Sequence, residues 1–232
     1  MNRAYIRLAT VMLIGAAYCL LSACQSMSAS PIDERSSLDG LQRVKKSGID
    51  AVFRRPGADL SKYSKLLVHS PEIEFSKNWN PESNSVLYRM NKVDREKIKT
   101  ELAMTFVDVF RRVLQDKGDY QLVDEAGPDV LDVQSAIINL YISAPDVSMQ
   151  TAGRVKTYTA DAGEMTLVAE FRDSVTGALL SRVYDRRDNL GSGSWEWTNS
   201  VTNVAEARTV ITSWATTLRK ALDAAHAPKD ST

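Results

Sequence analysis

From Glu164 to Arg172 apolar and polar side chains alternate. Met165, Leu167, Ala169 and Phe171 share one parity, and Glu164, Thr166, Glu170 and Arg172 the other, with Val168 the exception. A period of two marks a strand with one buried face. A second strand-like run, Ala178 to Asp188, follows across Ser174–Gly177. Asp173 can cap a turn and Gly177 can take positive φ, so the pair predicts a β-hairpin. Elsewhere the period is that of a helix. Between Val93 and Gly118 the apolar positions Ile98, Leu102, Phe106, Val109 and Val113 fall on one face, with Asp94 as cap and Gly118 as stop. A last helix carries the stripe Val204, Ala207, Ile211, Trp214, Leu218, Leu222 and Ala225, with Asn203 and Glu206 spaced as a capping box. Three further strands are expected: Tyr63–Phe75, bent or made an edge by Pro71; Tyr120–Glu125; and Asp129–Ser143, beyond the break at Gly127-Pro128.

The order strand, helix, strand, strand, strand, strand, helix gives two amphipathic helices that need one common surface. One face of a sheet suits them. The expected class is α+β, a two-layer sandwich with a mixed sheet of about five strands and two helices packed on one face. The first strand–helix–strand unit is expected to be a parallel crossover.

The N-terminus has another logic. Arg3 and Arg7 precede an apolar run from Leu8 to about Leu21. That run is short for a bilayer span, which needs roughly 20 residues, and reads as a signal peptide. It ends Leu21-Ser22-Ala23-Cys24, which resembles the bacterial lipobox. The resemblance implies cleavage before Cys24 and acylation of that cysteine, so that the membrane is reached through its lipid. Gln25, rather than Asp, then implies sorting to the outer membrane, with the domain facing the periplasm. The chain has two cysteines, Cys19 and Cys24, and the first would leave with the signal, so no disulfide is expected. The expected layout is residues 1–23 as lipoprotein signal peptide, 24–45 as lipidated cysteine and flexible tether, 46–225 as one periplasmic domain and 226–232 as a disordered tail. Charge narrows the partners: 29 basic residues balance 29 acidic ones, so nothing points to nucleic acid.

Four stretches occur in order: "RRPGADLSKYSKLLV", "YQLVDEAGPDVLDVQSAI", "GEMTLVAEFRDSVTGALLSRVYDRR" and "ITSWATTLRKAL". Together with a lipobox they resemble the bacterial lipoproteins of domain of unknown function family 3313, over roughly Phe53 to Leu222. "DLSKY" and "DSVTG" carry most of the likeness. It implies an envelope lipoprotein and supplies no activity.

Catalytic patterns are not found in the sequence. His69 and His226 are the only histidines. His69 is expected as a strand histidine bonded to a neighbour, and His226 in the tail. No spacing of His, Cys or acids suits a metal, and no cofactor motif occurs. Asp185 to Asp188, "DRRD", reads as a solvated, salt-bridged strand end. The candidate partner or ligand surface is Trp195 and Trp197 in "NLGSGSWEWTNS", with Trp79 in "SKNWNPES". Ser143–Gly163 is long for a loop and has room for a strand near Arg154–Thr159. The functional expectation is a non-catalytic interaction or scaffold module with an envelope protein partner. A periplasmic ligand-binding module for a glycan or an apolar molecule is the alternative, ahead of a cell-wall enzyme.

Overall fold

The computed structural model describes residues 30–45, 48–79, 92–116, 120–142, 157–159, 163–188, 196–198 and 200–228. The chain forms two compact units, Met1–Glu34 and Arg35–Thr232. Of the first, only residues 30–34 are described, where the Ser30 hydroxyl accepts from the Asp33 amide at 3.2 Å and caps a helix.

In chain order the elements are α1 (Pro31–Leu38), β1 (Gln42–Val44), β2 (Ala51–Arg54), β3 (Lys65–Val68), β4 (Glu72–Phe75), α2 (Lys92–Arg111, continued by a π turn over Arg112–Asp116), β5 (Gln121–Leu122), β6 (Val130–Ile142), β7 (Thr157–Thr159), β8 (Gly163–Asp173), β9 (Leu179–Asp188), β10 (Glu196–Thr198) and α3 (Ser200–His226). The class is mixed α/β. Among the described residues the open mixed sheet has eight strands rather than about five, and there are three α-helices rather than two.

The sheet runs β1-β2-β9-β8-β6-β3-β5, with β4 also on β6. The expected hairpin β8–β9 is antiparallel and turns through Gly177 at φ 70°. Asp173 Oδ1 accepts from the amides of Val175 and Thr176, and its Oδ2 accepts from the Tyr63 hydroxyl at 2.8 Å. The stretch around Pro71 makes two strands. β3 and β4 both lie parallel to β6, and the proline, which cannot donate to a ladder, sits in the gap between them. β3 and β5 flank α2 in sequence and pair in parallel, as a crossover requires.

Met165, Leu167, Ala169 and Phe171 point into the main core, which they share with Phe106 and Val109 of α2 and Ile211, Trp214 and Leu222 of α3. Helix α2 ends in a π turn that buries Val113 and Leu114 side by side, as an extra residue per turn allows.

Several expected boundaries are corrected. Helix α2 starts at Lys92 and α3 at Ser200, so Asp94 and Asn203 lie inside their helices rather than at the caps. Val204 is 38% exposed and leaves the stripe. His226 belongs to the last turn of α3 rather than to a tail: its Nδ1 meets the Leu222 carbonyl at 2.8 Å and its ring packs edge-on against Tyr120. Part of the stretch expected as tether is ordered. Residues 31–38 are helical, Gly40 turns at φ 73°, Leu41 and Ser36 are buried, and β1 joins the sheet.

Candidate functional site

A single row of side chains crosses four strands at one end of the sheet. Val44 lies opposite Val52, Val52 opposite Val183 and Val183 opposite Ala169. Directly opposed residues share a face, and Ala169 fixes it as the face that carries α2 and α3. Over β6 and β8 the helices bury that face fully. Toward the β1 edge they cover it less: Val183 and Val52 are half-buried and Val44 is 37% exposed. An apolar cavity of about 110 Å³ results, closed above by Trp214, Thr217, Leu218 and Ala221 of α3 and at the side by Ile49 and Leu60. Its floor is made of Leu131, Leu167 and Phe110, each buried.

The lining's polar groups are mostly occupied elsewhere. The Ser181 hydroxyl donates to the Phe53 carbonyl at 2.7 Å, and the Thr217 hydroxyl to the Ser213 carbonyl at 2.9 Å. The Trp214 indole donates to Asp185 Oδ2 at 2.6 Å. Arg54 is the one charged residue in the lining. It is exposed, and among the described residues its guanidinium has no hydrogen-bond or ion-pair partner.

Asp185 holds this wall in place. The "DRRD" stretch is not a solvated strand end: Asp185 is 1% exposed because its register opposite Leu167 turns it beneath α3. Besides Trp214 it accepts from Arg187 Nε at 2.7 Å and from the Asp50 amide at 3.2 Å. The Asp50 carboxylate in turn accepts from the Arg186 amide, and Arg187 Nη2 donates to the Gly48 carbonyl. The loop bearing Ile49 is thereby fixed to β9, and β9 to α3.

The family model described as "Protein of unknown function (DUF3313)" matches residues 32–218. The chain belongs to this family. The description assigns no activity. Among solved structures, this DUF3313 chain is similar to the PelC dodecamer from Paraburkholderia phytofirmans, at 12% identity over 72% of this chain and 96% of that one, with a TM-score of 0.36. It is also similar to a Xanthomonas campestris protein of the family DUF330, at 15% identity over 72% and 86%, with a TM-score of 0.32. No curated protein matches it.

The opposite face of the DUF3313 sheet is polar. Arg182, 2% exposed, lies between two carboxylates: its Nε and Nη2 donate to Glu170 Oε1 at 2.8 and 2.6 Å, and its Nη1 sits 2.6 Å from Asp39 Oδ2. Arg172 donates to the other Glu170 oxygen. Burial works to raise the Glu170 pKa, but the two arginines outweigh it and hold the carboxyl below its usual range. Beside this network Leu41, Ala51, Phe53 and Leu179 form a small second core. His69 Nε2 meets Asp132 Oδ1 at 2.7 Å, the expected strand histidine with a neighbour. Among the described residues no hydroxyl reaches its ring by a hydrogen bond.

The tryptophans separate. Trp79 is not a surface residue: it is 6% exposed, stacks on Phe75 with centroids 4.2 Å apart, donates to the Ile142 carbonyl at 2.9 Å and lies under Arg95. The polar residues around it in sequence concealed a pocket built from β4 and β6. Trp197 is in β10, which pairs with β7 as a separate two-stranded ribbon and places it opposite Tyr158 in register. β7 falls where a strand near Arg154–Thr159 was expected. Cys24, Gln25 and Trp195 lie outside the described residues. No run of residues marks the cavity as such. Its one legible sign is "AVFR", where apolar side chains of both parities, Ala51 and Phe53 against Val52, imply a strand with hydrocarbon on each face.

Proposed function

We propose that this chain is a lipid-anchored protein of the bacterial outer membrane whose periplasmic α/β domain works without catalysis, as an interaction or scaffold module of the envelope. The lipobox ending in Cys24 carries the reading. The fold adds a measure of reach. Arg35, where the second unit begins, is 35 − 24 = 11 residues beyond Cys24. At about 3.5 Å per extended residue as far as Pro31 and about 1.5 Å per residue along α1, the domain's start stays within roughly 30 Å of the lipid. Asp185, Glu170 and Arg182 are taken up in tying elements together. That supports a structural use of these charges over a reactive one. Gln25 supports the outer-membrane address.

Replacing Cys24 with Ser tests the anchor. The variant should fail to incorporate radiolabelled palmitate and should leave the outer-membrane fraction. Unchanged co-fractionation would overturn the reading. Cross-linking in intact cells then tests the module: a dominant partner lost in a Trp195→Ala/Trp197→Ala variant would place the contact at or beside the β10 ribbon.

The cavity favours a second reading, in which the domain also holds a ligand. Its lining offers hydrocarbon and almost no free hydrogen-bonding group, which suits an apolar molecule and not a glycan.

A further inference from the structure

We propose that the cavity takes the acyl chain of an anionic amphiphile, with Arg54 meeting the head group. This names the ligand class for the ligand-binding reading above and rests on it.

Two independent features converge. The first is the interior. With Ser181, Thr217 and Trp214 bonded to protein acceptors, the cavity presents methyl, methylene and aromatic carbon. A water molecule needs two or more polar partners to stay in such a space, so the lining favours hydrocarbon over water. Its volume of about 110 Å³ is close to that of an engineered apolar cavity of roughly 150 Å³ that binds benzene. It therefore admits one narrow chain end rather than a fused-ring molecule or a whole lipid. Each methylene moved from water into it strengthens binding about fourfold. The wall rises from the buried Leu167 through Val183 and Val52 to the exposed Val44, so a chain entering from solvent meets apolar surface along its whole path.

The second feature is charge. The mature chain is close to neutral, yet the strands that form the mouth are not. Among the described residues from Gly40 to Ala58 there are four basic ones, Arg43, Lys45, Arg54 and Arg55, against one acid, Asp50, with Asp39 and Asp59 just outside this stretch. The Asp50 carboxylate already accepts from the Arg186 amide. Arg55 donates to the Leu179 and Asp39 carbonyls and Arg43 to the Asp50 carbonyl. Arg54 alone of the lining residues brings a charge to the cavity. It lies opposite Ser181, two ladder pairs from the Val52–Val183 position and so on the same face. A carboxylate or phosphate there would take two parallel hydrogen bonds from the guanidinium. A chain with a neutral head would gain the hydrocarbon term alone.

The test uses the lipidated full-length protein reconstituted in bilayers of phosphatidylcholine. Three photoactivatable probes carry a diazirine on a sixteen-carbon chain: palmitic acid, the corresponding alcohol, and phosphatidylglycerol. After irradiation, adducts are mapped by mass spectrometry. Palmitic acid should label the Val44–Arg54 and Thr217–Ala221 peptides. Labelling there should fall in Ala221→Phe, which fills the cavity. In Arg54→Glu, an exposed change that leaves the core intact, labelling by the acid should fall by roughly threefold or more, with labelling by the alcohol unchanged. Labelling by phosphatidylglycerol as well identifies the source as a phospholipid, and by the acid alone as a free fatty acid; either supports the proposal. Equal labelling by acid and alcohol, indifferent to Arg54→Glu, overturns the anionic ligand while the apolar-ligand reading stands. No adduct at these peptides with any probe overturns both. Adducts that appear only in Cys24→Ser mean that the protein's own acyl chain fills the site, which also overturns an external ligand.

Discussion

Gly163 opens β8 with φ at 147°, and a Cβ added there would meet the Tyr141 carbonyl oxygen at 2.2 Å. That oxygen belongs to the paired strand β6, so neither partner can yield without breaking the ladder. Gly177 also has positive φ, 70°, but a Cβ there meets nothing within 4 Å. The two glycines therefore separate backbone preference from collision. Gly177→Ala should cost about 1–2 kcal/mol, the price of a left-handed residue. Gly163→Ala adds a steric clash with backbone and should cost ~3 kcal/mol or more. Urea denaturation of both variants checks the order, and equal costs would mean that the β6–β8 end relaxes freely.

What was legible in the sequence follows from the same local rules. β8 was legible because one buried face and one polar face give a clean period of two, and its turn carries Asp173 and Gly177 where the chemistry wants them. Helix α3 was legible because Ile211, Trp214, Leu218 and Leu222 recur at its pitch. Elements held by distant partners were not. Helix α1 has no apolar stripe, so it read as tether; what orders the segment after it is the buried Leu41 and the contact of Asp39 with Arg182, across 143 residues, 182 − 39. Asp185 read as solvated for the same reason, since its partners Trp214 and Asp50 lie far away in sequence. The clasp from Arg35 to Val44 gives an element-scale prediction. Asp39→Ala removes one carboxylate from a buried arginine that keeps Glu170. The sheet should stay folded while the clasp opens more often. Trypsin cleavage after Arg43 under native conditions should rise about fivefold, for a loss of ~1 kcal/mol in local opening free energy. A rate equal to that of the wild type would show that Leu41 and Ser36 hold the segment unaided.

Over the whole molecule, acid removes several of these ties together. The Asp173 carboxyl is lowered from 3.8 to about 2, first by the Thr176 amide, then by the hydroxyls of Tyr63 and Thr176. The Arg208 guanidinium lowers Asp108, and Lys65 lowers Asp129. Glu170 is lowered too. Each group is more acidic folded than unfolded, so each contributes stability that is complete above its unfolded pKa and is lost as pH falls through its folded one. These carboxylates join different elements: Asp173 the β8–β9 turn to Tyr63, Asp108 helix α2 to α3, Asp129 the start of β6 to β3. Tyr63 remains a donor throughout, since burial and Asp173 push its phenol up to about 12. Asp173 provides the resolvable case. In Asp173→Ala the unfolding free energy should lie below wild type by a margin that is constant from pH 7 to about 4 and then shrinks toward pH 2. The pH-dependent part should be roughly 1 kcal/mol, because solvent screens a carboxylate at a surface turn. Denaturant titrations at pH 7, 4, 3 and 2 measure it. A margin that stays constant down to pH 2 would mean that the turn is held by its backbone geometry and Gly177, with the carboxylate contributing no proton-linked stability.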